Sequence, residues 1–217
     1  MTTRFFTTVL FLVSFFTANA QTQTEKCNLT RSVFSRLYTV NVEEVICLAQ
    51  NSDKDITIFY TYAEWCSPCR RKLPEAIKLA EKYNVDFYVL LMDREGDRLR
   101  LGGALQTLDS VYNNQLKAVI ISDELYSERA MEKFARRSRR GFVLVSTGIV
   151  ERDKYKNFLT LITPPESEID NGMSKFIVLN KKGEVLLVTN HKDYEGTNDD
   201  SKLFERVVRV IENSRRK

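Results

Sequence analysis

The pattern of hydrophobic and polar positions along the chain predicts alternating strands and helices. Residues 55–62 and 85–92 are rich in β-branched and aromatic side chains, which is typical of buried strands. Between them, apolar residues recur at helical spacing over residues 67–83, with Pro74 as an interruption near the start. A strand, a helix and a second strand in this order predict a right-handed crossover between two parallel strands.

The same patterns predict further elements on both sides of this unit. Apolar spacing over residues 42–49 indicates a preceding helix, and a C-terminal helix begins near Ser201. Two strands joined by the turn Lys181-Lys182-Gly183 predict an antiparallel hairpin over residues 175–188. Between residue 93 and this hairpin the pattern predicts a helix at 105–112, a strand at 118–122, a helix at 127–137 and a strand at 141–145.

The first twenty residues have the form of a signal for export. Arg4 gives a positive start, residues 5–16 form a mostly apolar run, and Ala18-Asn19-Ala20 has the small-x-small form of a cleavage site. The apolar run is shorter than the roughly 20 residues that a membrane-spanning helix needs. We therefore predict that residues 1–20 are a signal peptide and that the mature chain has no integral membrane segment. An uncleaved N-terminal anchor is the alternative.

Composition favours a folded globular protein. The chain has 217 residues, of which 43% are hydrophobic and 29% are charged, with only 8 Gly and 4 Pro, so it can bury a sizeable core. The 33 Lys and Arg against 29 Asp and Glu give a net charge of +4, which is a smaller excess than nucleic-acid binding predicts. The length fits one domain with additions, and we place that domain at residues 21–217.

All four cysteines, Cys27, Cys47, Cys66 and Cys69, lie in the predicted mature chain. In an exported protein disulfides form and persist, and four cysteines allow three pairings. Because Cys66 and Cys69 are only three residues apart, the simplest division is one redox pair and one structural bridge between Cys27 and Cys47. The alternative is that Cys27 and Cys47 form a second redox pair that exchanges with Cys66.

Cys66 and Cys69 stand where a predicted strand passes directly into a helix. The N-terminus of a helix carries partial positive charge and free backbone N–H groups, so it favours a thiolate over a thiol. We therefore expect Cys66 to form a mixed disulfide with a partner's sulfur and Cys69 to resolve it. Pro68 is compatible with the first helical turn, and Trp65 supplies an apolar lid.

These residues resemble the active site of the thioredoxin superfamily. The resemblance rests on Pro74, on the downstream hairpin and on the run Ala63-Glu64-Trp65-Cys66-Ser67-Pro68-Cys69-Arg70. As an exported chain with an insertion, the protein looks most like the TlpA/ResA-like thioredoxin proteins of bacterial envelopes. The resemblance implies a thioredoxin-like α/β fold with a central mixed sheet flanked by helices. It also implies an N-terminal extension at about 21–40 and a large insertion at about 93–171, before the final hairpin.

The resemblance further implies a thiol-disulfide oxidoreductase of the periplasm, with secretion as the alternative location. Cys66 would be the nucleophile and Cys69 the resolving thiol, supported by Trp65, Ser67 and Pro68. Protein thiols and disulfides would be the substrates, and a redox partner protein would restore the dithiol or disulfide. No nucleic acid, cofactor or metal is expected. A zinc site that combines both cysteines with His191, the only histidine, lacks the usual ligand spacing.

Two departures from the family pattern concern the site directly. Ser174 stands where the family usually has a cis-proline opposite the cysteines, and Tyr60 stands where thioredoxins carry a buried aspartate; Glu64 is a candidate to replace that aspartate. These departures keep a second function open, in which a thioredoxin framework with a structural Cys66–Cys69 disulfide serves as a non-catalytic binding or scaffold protein. The direction of electron flow also stays open, because it depends on the reduction potential.

Overall fold

A computed structural model of the protein describes residues 22–33, 36–112, 116–132, 147–170, 172–190, 193 and 200–216. The predicted signal peptide, the strand predicted at 141–145 and His191 lie outside these residues. Within the described part of the chain, no helix combines the length and the apolar composition that crossing a bilayer requires.

Six strands form one mixed sheet at the centre of the molecule. They are β1 (Tyr38–Val40), β2 (Ile56–Tyr62), β3 (Asp86–Leu91), β4 (Lys117–Ile121), β5 (Phe176–Asn180) and β6 (Val185–Val188). Their order across the sheet is β1-β4-β3-β2-β5-β6. The first four strands are parallel to one another, whereas β5 is antiparallel to both β2 and β6. The predicted parallel crossover, the C-terminal hairpin and the mixed sheet are therefore confirmed.

Helices cover both faces of this sheet. They are α1 (Gln23–Lys26), α2 (Val42–Gln50), α3 (Ser67–Lys82), α4 (Arg98–Tyr112), α5 (Thr147–Ile162) and α6 (Ser201–Arg215). The crossovers through α3 and α4 run in the same direction across the sheet, so right-handed connections put these two helices on one face. The crossover from β1 to β2 runs in the opposite direction, so α2 lies on the other face. Consistent with two layers, α6 contacts α3, and α5 contacts α2.

The two central strands explain why the sequence folds this way. Every residue of β2 and of β3 is buried, as expected for parallel strands that have helices on both faces. Aromatic rings fill the space between neighbouring strands, with Phe59 stacked on Tyr88 at 5.0 Å between ring centroids, and Tyr60 packed on Phe176 at the same distance. The apolar runs that predicted both strands are thus the centre of the core.

Three elements have no counterpart among the predicted ones. Strand β1 and helix α1 are too short to leave a periodic pattern. Helix α5 is long, and its buried residues Tyr155, Phe158, Leu159 and Ile162 follow helical spacing, but a fully buried lysine, Lys154, lies beside them on the same face. The helix predicted at 127–137 is described only over residues 128–132, and the one predicted at 105–112 begins seven residues earlier, at Arg98.

Two strands of the sheet come from the predicted insertion and from the predicted N-terminal extension. Strand β4 comes from the range 93–171 and lies between β1 and β3, so this part of the predicted insertion belongs to the central sheet. Strand β1 comes from the predicted extension 21–40 and forms the edge of the sheet. The outer bounds of the insertion and of the extension stay predictions.

The N-terminal segment is fastened at the amino ends of the parallel strands. Gln23 donates hydrogen bonds to the backbone oxygen of Leu48 and to the carboxylate of Asp86, the first residue of β3. A disulfide between Cys27 and Cys47 joins the end of α1 to α2, with 5.8 Å between the two Cα atoms. This bridge spans twenty residues of sequence and therefore ties β1 and its flanking loops to the domain.

Candidate redox site

Cys66 and Cys69 form a disulfide at the junction between β2 and α3. Their sulfur atoms are 2.05 Å apart and their Cα atoms 5.2 Å apart. Cys66 is the N-cap of α3, and its Sγ accepts a hydrogen bond of 3.3 Å from the backbone N–H of Cys69. Cys66 keeps 5% of its surface exposed, whereas Cys69 is fully buried. Cys66 is therefore the more accessible residue of the pair.

The local sequence explains why the helix begins at this point. The backbone of Cys66 is extended, and Ser67 and Pro68 occupy the first two positions of α3. Backbone N–H groups in the first turn of a helix have no partner within that helix, so the missing N–H of Pro68 costs little there. Helix α3 continues through Pro74 to Lys82. The motif thus sets its cysteines into the first turn of a sixteen-residue helix.

The structure places Tyr60 and Glu64 in different surroundings. Tyr60 stands where thioredoxins carry a buried aspartate, and Glu64 is the predicted candidate to replace it. Tyr60 is fully buried, and its hydroxyl donates a hydrogen bond of 2.9 Å to the backbone oxygen of Cys69. The carboxylate of Glu64 accepts from the hydroxyl of Tyr62 at 2.9 Å and lies 3.7 Å from the guanidinium of Arg70. Its side chain is 27% exposed. Tyr60 therefore fixes the backbone of Cys69, and Glu64 belongs to the rim of the site.

A buried carboxylate does lie beside the motif, on a residue that the sequence analysis did not select. Asp93 follows β3 at the end of the sheet where β2 leads into the motif, and its Oδ1 accepts a hydrogen bond of 3.0 Å from the indole N–H of Trp65. The side chain is completely buried. Burial raises the pKa of Asp93 to about 6, against the lowering effects of the Trp65 hydrogen bond and of Arg100.

The position of Asp93 in the sequence could have predicted that it lies near the motif. It directly follows a run of residues predicted to be a buried strand, and the carboxyl ends of parallel strands meet at one edge of the sheet. Trp65, which it holds, is half-buried and has the guanidinium of Arg100 at 5.9 Å from its ring centroid. Trp65 is therefore contacted from the loop after β3 and from α4, and its role as a lid stays a prediction.

Ser174 lies at the same edge of the sheet as the motif. The backbone N–H of Lys175 donates to Oγ1 of Thr61 at 2.8 Å, and the backbone oxygen of Lys175 accepts the Thr61 N–H at 3.0 Å. Ser174, the residue before Lys175, therefore lies near the carboxyl end of β2. Ser174 is fully buried and has a φ of 64°, in the left-handed region that few residues other than glycine adopt. No cis peptide bond occurs in the described parts of the chain.

Two of the positive residues after Cys69, Arg71 and Lys72, are paired with the residue that precedes α6. Lys72 is buried in α3, and its ammonium lies 3.0 Å from the carboxylate of Asp200, which precedes α6. Arg71 approaches the same carboxylate at 3.7 Å. These contacts join helix α3, which begins at the Cys66–Cys69 motif, to the C-terminal helix.

The two disulfides lie at opposite ends of the sheet. Cys66 follows the carboxyl end of β2, whereas the Cys27–Cys47 bridge lies with α1 and the end of α2 near the amino ends. A seven-residue strand such as β2 spans about 20 Å. Direct thiol exchange between the pairs would therefore need a large rearrangement. Among the described residues, no group of three or more His, Cys, Asp or Glu side chains could hold a metal ion.

The chain also has similarities to known proteins. No protein-family model matches it. A thioredoxin-like protein of Acanthamoeba polyphaga mimivirus is 37% identical over 62 residues, which cover 25% of this chain and 45% of that protein, so the chain matches less than half of this relative's length.

The chain also matches solved structures, at low sequence identity and low TM-scores. A thio-disulfide isomerase from Thermus thermophilus matches at 16% identity, with 74% of this chain and 82% of that chain covered and a TM-score of 0.39. Tryparedoxin I from Crithidia fasciculata matches at 15% identity, with 82% and 96% covered and a TM-score of 0.35.

Two features of the fold agree with the resemblance predicted from the sequence. The mixed sheet ends in an antiparallel hairpin next to β2, and the Cys-x-x-Cys motif lies at the junction of β2 and α3. The sequence match to a thioredoxin-like protein covers a quarter of this chain. The sheet and the place of the motif agree with the thioredoxin-like α/β fold that the sequence predicts.

Proposed function

We propose that the protein is an exported thiol-disulfide oxidoreductase that exchanges disulfides with protein substrates through Cys66 and Cys69. The observation that carries this proposal is the Cys66–Cys69 disulfide in the first turn of α3, with the more exposed sulfur at the N-cap. The backbone N–H of Cys69 is directed at Sγ of Cys66 and can donate to the thiolate that forms there when the disulfide opens.

The exchange proceeds in two displacements that balance atoms and electrons. A substrate thiolate attacks Sγ of Cys66, the Cys66–Cys69 bond breaks, and Cys69 leaves with the electron pair and takes up a proton. A second substrate thiolate then attacks the substrate sulfur of the mixed disulfide and releases Cys66 as a thiolate. The substrate loses two electrons and gains a disulfide, and the cysteine pair is reduced. The reverse sequence reduces a substrate disulfide.

Neighbouring residues have supporting roles in these steps. Tyr60 holds the backbone carbonyl of Cys69, so the resolving sulfur keeps its place while Cys66 is bonded to substrate. Trp65, held by Asp93, covers the apolar side of the motif. Ser174 stands at the same edge of the sheet and is the candidate to border the bound substrate. Its buried side chain and left-handed backbone give this border a defined shape.

The proposal includes export and two kinds of partner. Residues 1–20 have the sequence features of a signal peptide, and export would bring the chain into a compartment in which disulfides persist. Its substrates would be protein thiols or disulfides, and a redox partner protein would return the pair to its starting state. The bacterial periplasm is the proposed location, and secretion or anchoring by an uncleaved signal are the alternatives.

A non-catalytic binding or scaffold protein is the second candidate. It is favoured by Ser174 at the usual cis-proline position and by the small exposed fraction of Cys66. In that case the Cys66–Cys69 disulfide would be structural and would not exchange with protein thiols.

A substrate-trapping experiment separates the two candidates. In Cys69→Ser the resolving thiol is absent, so mixed disulfides between Cys66 and substrates should accumulate in the native compartment and dissociate under reducing agent. Cys66→Ser is the matched control, because it keeps the buried cysteine and removes the accessible one. Purified wild type should also catalyse disulfide exchange in insulin. Absence of both trapped complexes and exchange activity would support the scaffold.

A further inference from the structure

Helix α5 carries a lysine at a place where a charged side chain is costly to bury. Lys154 is completely buried, and its ammonium donates three hydrogen bonds. Two go to backbone oxygens, of Asp93 and of Ile121, both at 2.8 Å, and the third goes to the carboxylate of Asp123 at 2.7 Å. An ammonium has three N–H groups, so every donor of Lys154 is used. Such complete pairing is what makes a buried charge tolerable.

These three acceptors lie at or just after the carboxyl ends of β3 and β4. Asp93 lies in the β3–α4 loop, residues 92–97, and Asp123 opens the short helical turn after β4. The loops also bind each other, since Glu95 donates its N–H to Asp123 at 3.2 Å and accepts the Asp123 N–H at 2.9 Å. Lys154 therefore closes a network that sets the position of the β3–α4 loop.

The β3–α4 loop in turn holds the redox motif. Lys154 binds the backbone of Asp93, and the carboxylate of the same residue accepts the indole N–H of Trp65, the neighbour of Cys66 in the chain. The second oxygen of this carboxylate, Oδ2, is buried and has no hydrogen-bond partner among the described residues. Among the described residues, the indole of Trp65 is the one hydrogen-bond donor to the Asp93 carboxylate. The direction of this carboxylate therefore depends on the position of the Asp93 backbone.

Helix α5 does not depend on Lys154 for its docking. Asp153 accepts two hydrogen bonds from Ser127, at 2.9 and 3.0 Å, and Asn157 donates to the backbone oxygen of Leu125 at 2.8 Å. The apolar side chains of α5 are part of the main core. A change confined to the ammonium of Lys154 should therefore leave the helix in place.

We propose that Lys154 is a positioning residue of the redox site, which acts through the backbone of Asp93 to set the place of Trp65 beside Cys66. This inference rests on the proposed function. It gives α5, which lies in the range predicted to be an insertion, a direct part in the site. It also explains a buried lysine at a position where an apolar residue would pack without any need for partners.

The experiment uses the fact that Trp65 is the only tryptophan of the chain. Lys154→Met keeps an unbranched apolar side chain as far as Cε and removes the ammonium with its three donors. We expect the emission of Trp65 to shift to longer wavelength and its quenching by acrylamide to increase. The pH midpoint of Cys66 alkylation in the reduced protein should also change. Insulin reduction should slow by about tenfold or more, because small displacements of reacting groups have effects of this size.

A double-mutant cycle tests the route through Asp93. In an Asp93→Ala background the indole has already lost its acceptor, so adding Lys154→Met should not change the Trp65 signal or the Cys66 midpoint further. The matched control is Asp86→Asn. It alters a buried, three-partner group at the other end of the sheet and should leave both signals as in wild type.

Each outcome decides the proposal. An unchanged Trp65 signal and an unchanged Cys66 midpoint in folded Lys154→Met overturn it, and so does an effect of equal size in both backgrounds. If Lys154→Met does not fold, Asp123→Asn, which removes its charged partner, replaces it in the same cycle with the same expected results. If wild type has no oxidoreductase activity, the proposed function fails. The fluorescence and alkylation measurements still decide the role of Lys154, because neither needs turnover.

Discussion

Asp93 makes a prediction whose size follows from its burial. Its pKa is about 6 in the folded protein, against 3.8 for an ordinary aspartate. Each tenfold change in a protonation equilibrium corresponds to about 1.4 kcal/mol, so ionising this carboxyl costs the folded protein about 3 kcal/mol. The cost is absent below pH 3.8, where both states are protonated, grows as the pH rises towards 6, and is constant above it. Asp93 therefore lowers the free energy of unfolding at neutral pH.

Asp93→Asn removes the charge and keeps an oxygen to accept the indole N–H of Trp65. At pH 7.5 we expect the variant to be more stable than wild type by about 1 to 3 kcal/mol, since the new amide N–H₂ is buried and costs part of the gain. The stability of the variant relative to wild type should fall by about 2 kcal/mol between pH 7 and pH 4. Urea unfolding of both proteins at several pH values measures it.

Asp86→Asn should show the opposite sign. Burial acts to raise the pKa of Asp86, but hydrogen bonds from Lys117, Gln23 and Ser52 outweigh it and lower the pKa. The stabilisation is present above pH 3.8 and is lost as the pH falls through the lowered value, so this variant should be less stable than wild type at pH 7.5.

An Asp93→Asn variant whose stability difference from wild type does not change with pH would refute the reasoning.

Two further predictions concern the disulfide staple and the resolving cysteine. Replacing Cys27 and Cys47 by serine should lower the free energy of unfolding by about 3 kcal/mol, the loop-closure value for twenty residues, and thermal unfolding measures this loss. Insulin reduction should stay within twofold of wild type. A marked loss of activity would contradict the separation of the two cysteine pairs. Tyr60→Phe removes the hydroxyl that binds the carbonyl of Cys69 and should cost about 1 to 3 kcal/mol; an unchanged urea midpoint would show that this carbonyl has another donor.

The central part of the fold follows from local patterns. Strands β2 and β3 are buried on both faces, so their side chains form continuous apolar runs that the sequence displays directly. The motif between them needs only these runs and the helical spacing of α3 to be placed at a helix N-terminus. The hairpin of β5 and β6 is equally local, because its turn contains Gly183, which has a φ of 82° that few other residues adopt.

The rest of the site depends on contacts between distant segments. Asp93 contacts Trp65 across 28 residues of sequence, and Lys154 reaches Asp93 across 61. Lys154 also hid the helix that carries it, because a lysine on the buried face interrupts the apolar pattern. Strand β1 has three residues and is stabilised by pairing with β4, which lies far along the chain. Such partners are fixed by tertiary structure and leave no local period.

The reduction potential of the Cys66–Cys69 pair tests the central claim most directly. The Cys27→Ser/Cys47→Ser variant contains this pair alone, so its dithiol and disulfide forms can be equilibrated in glutathione and dithiothreitol buffers and counted by alkylation. A redox-active pair should titrate reversibly as a two-electron couple, at a potential between about −120 and −270 mV. A potential below about −300 mV, as in structural disulfides, would contradict the account.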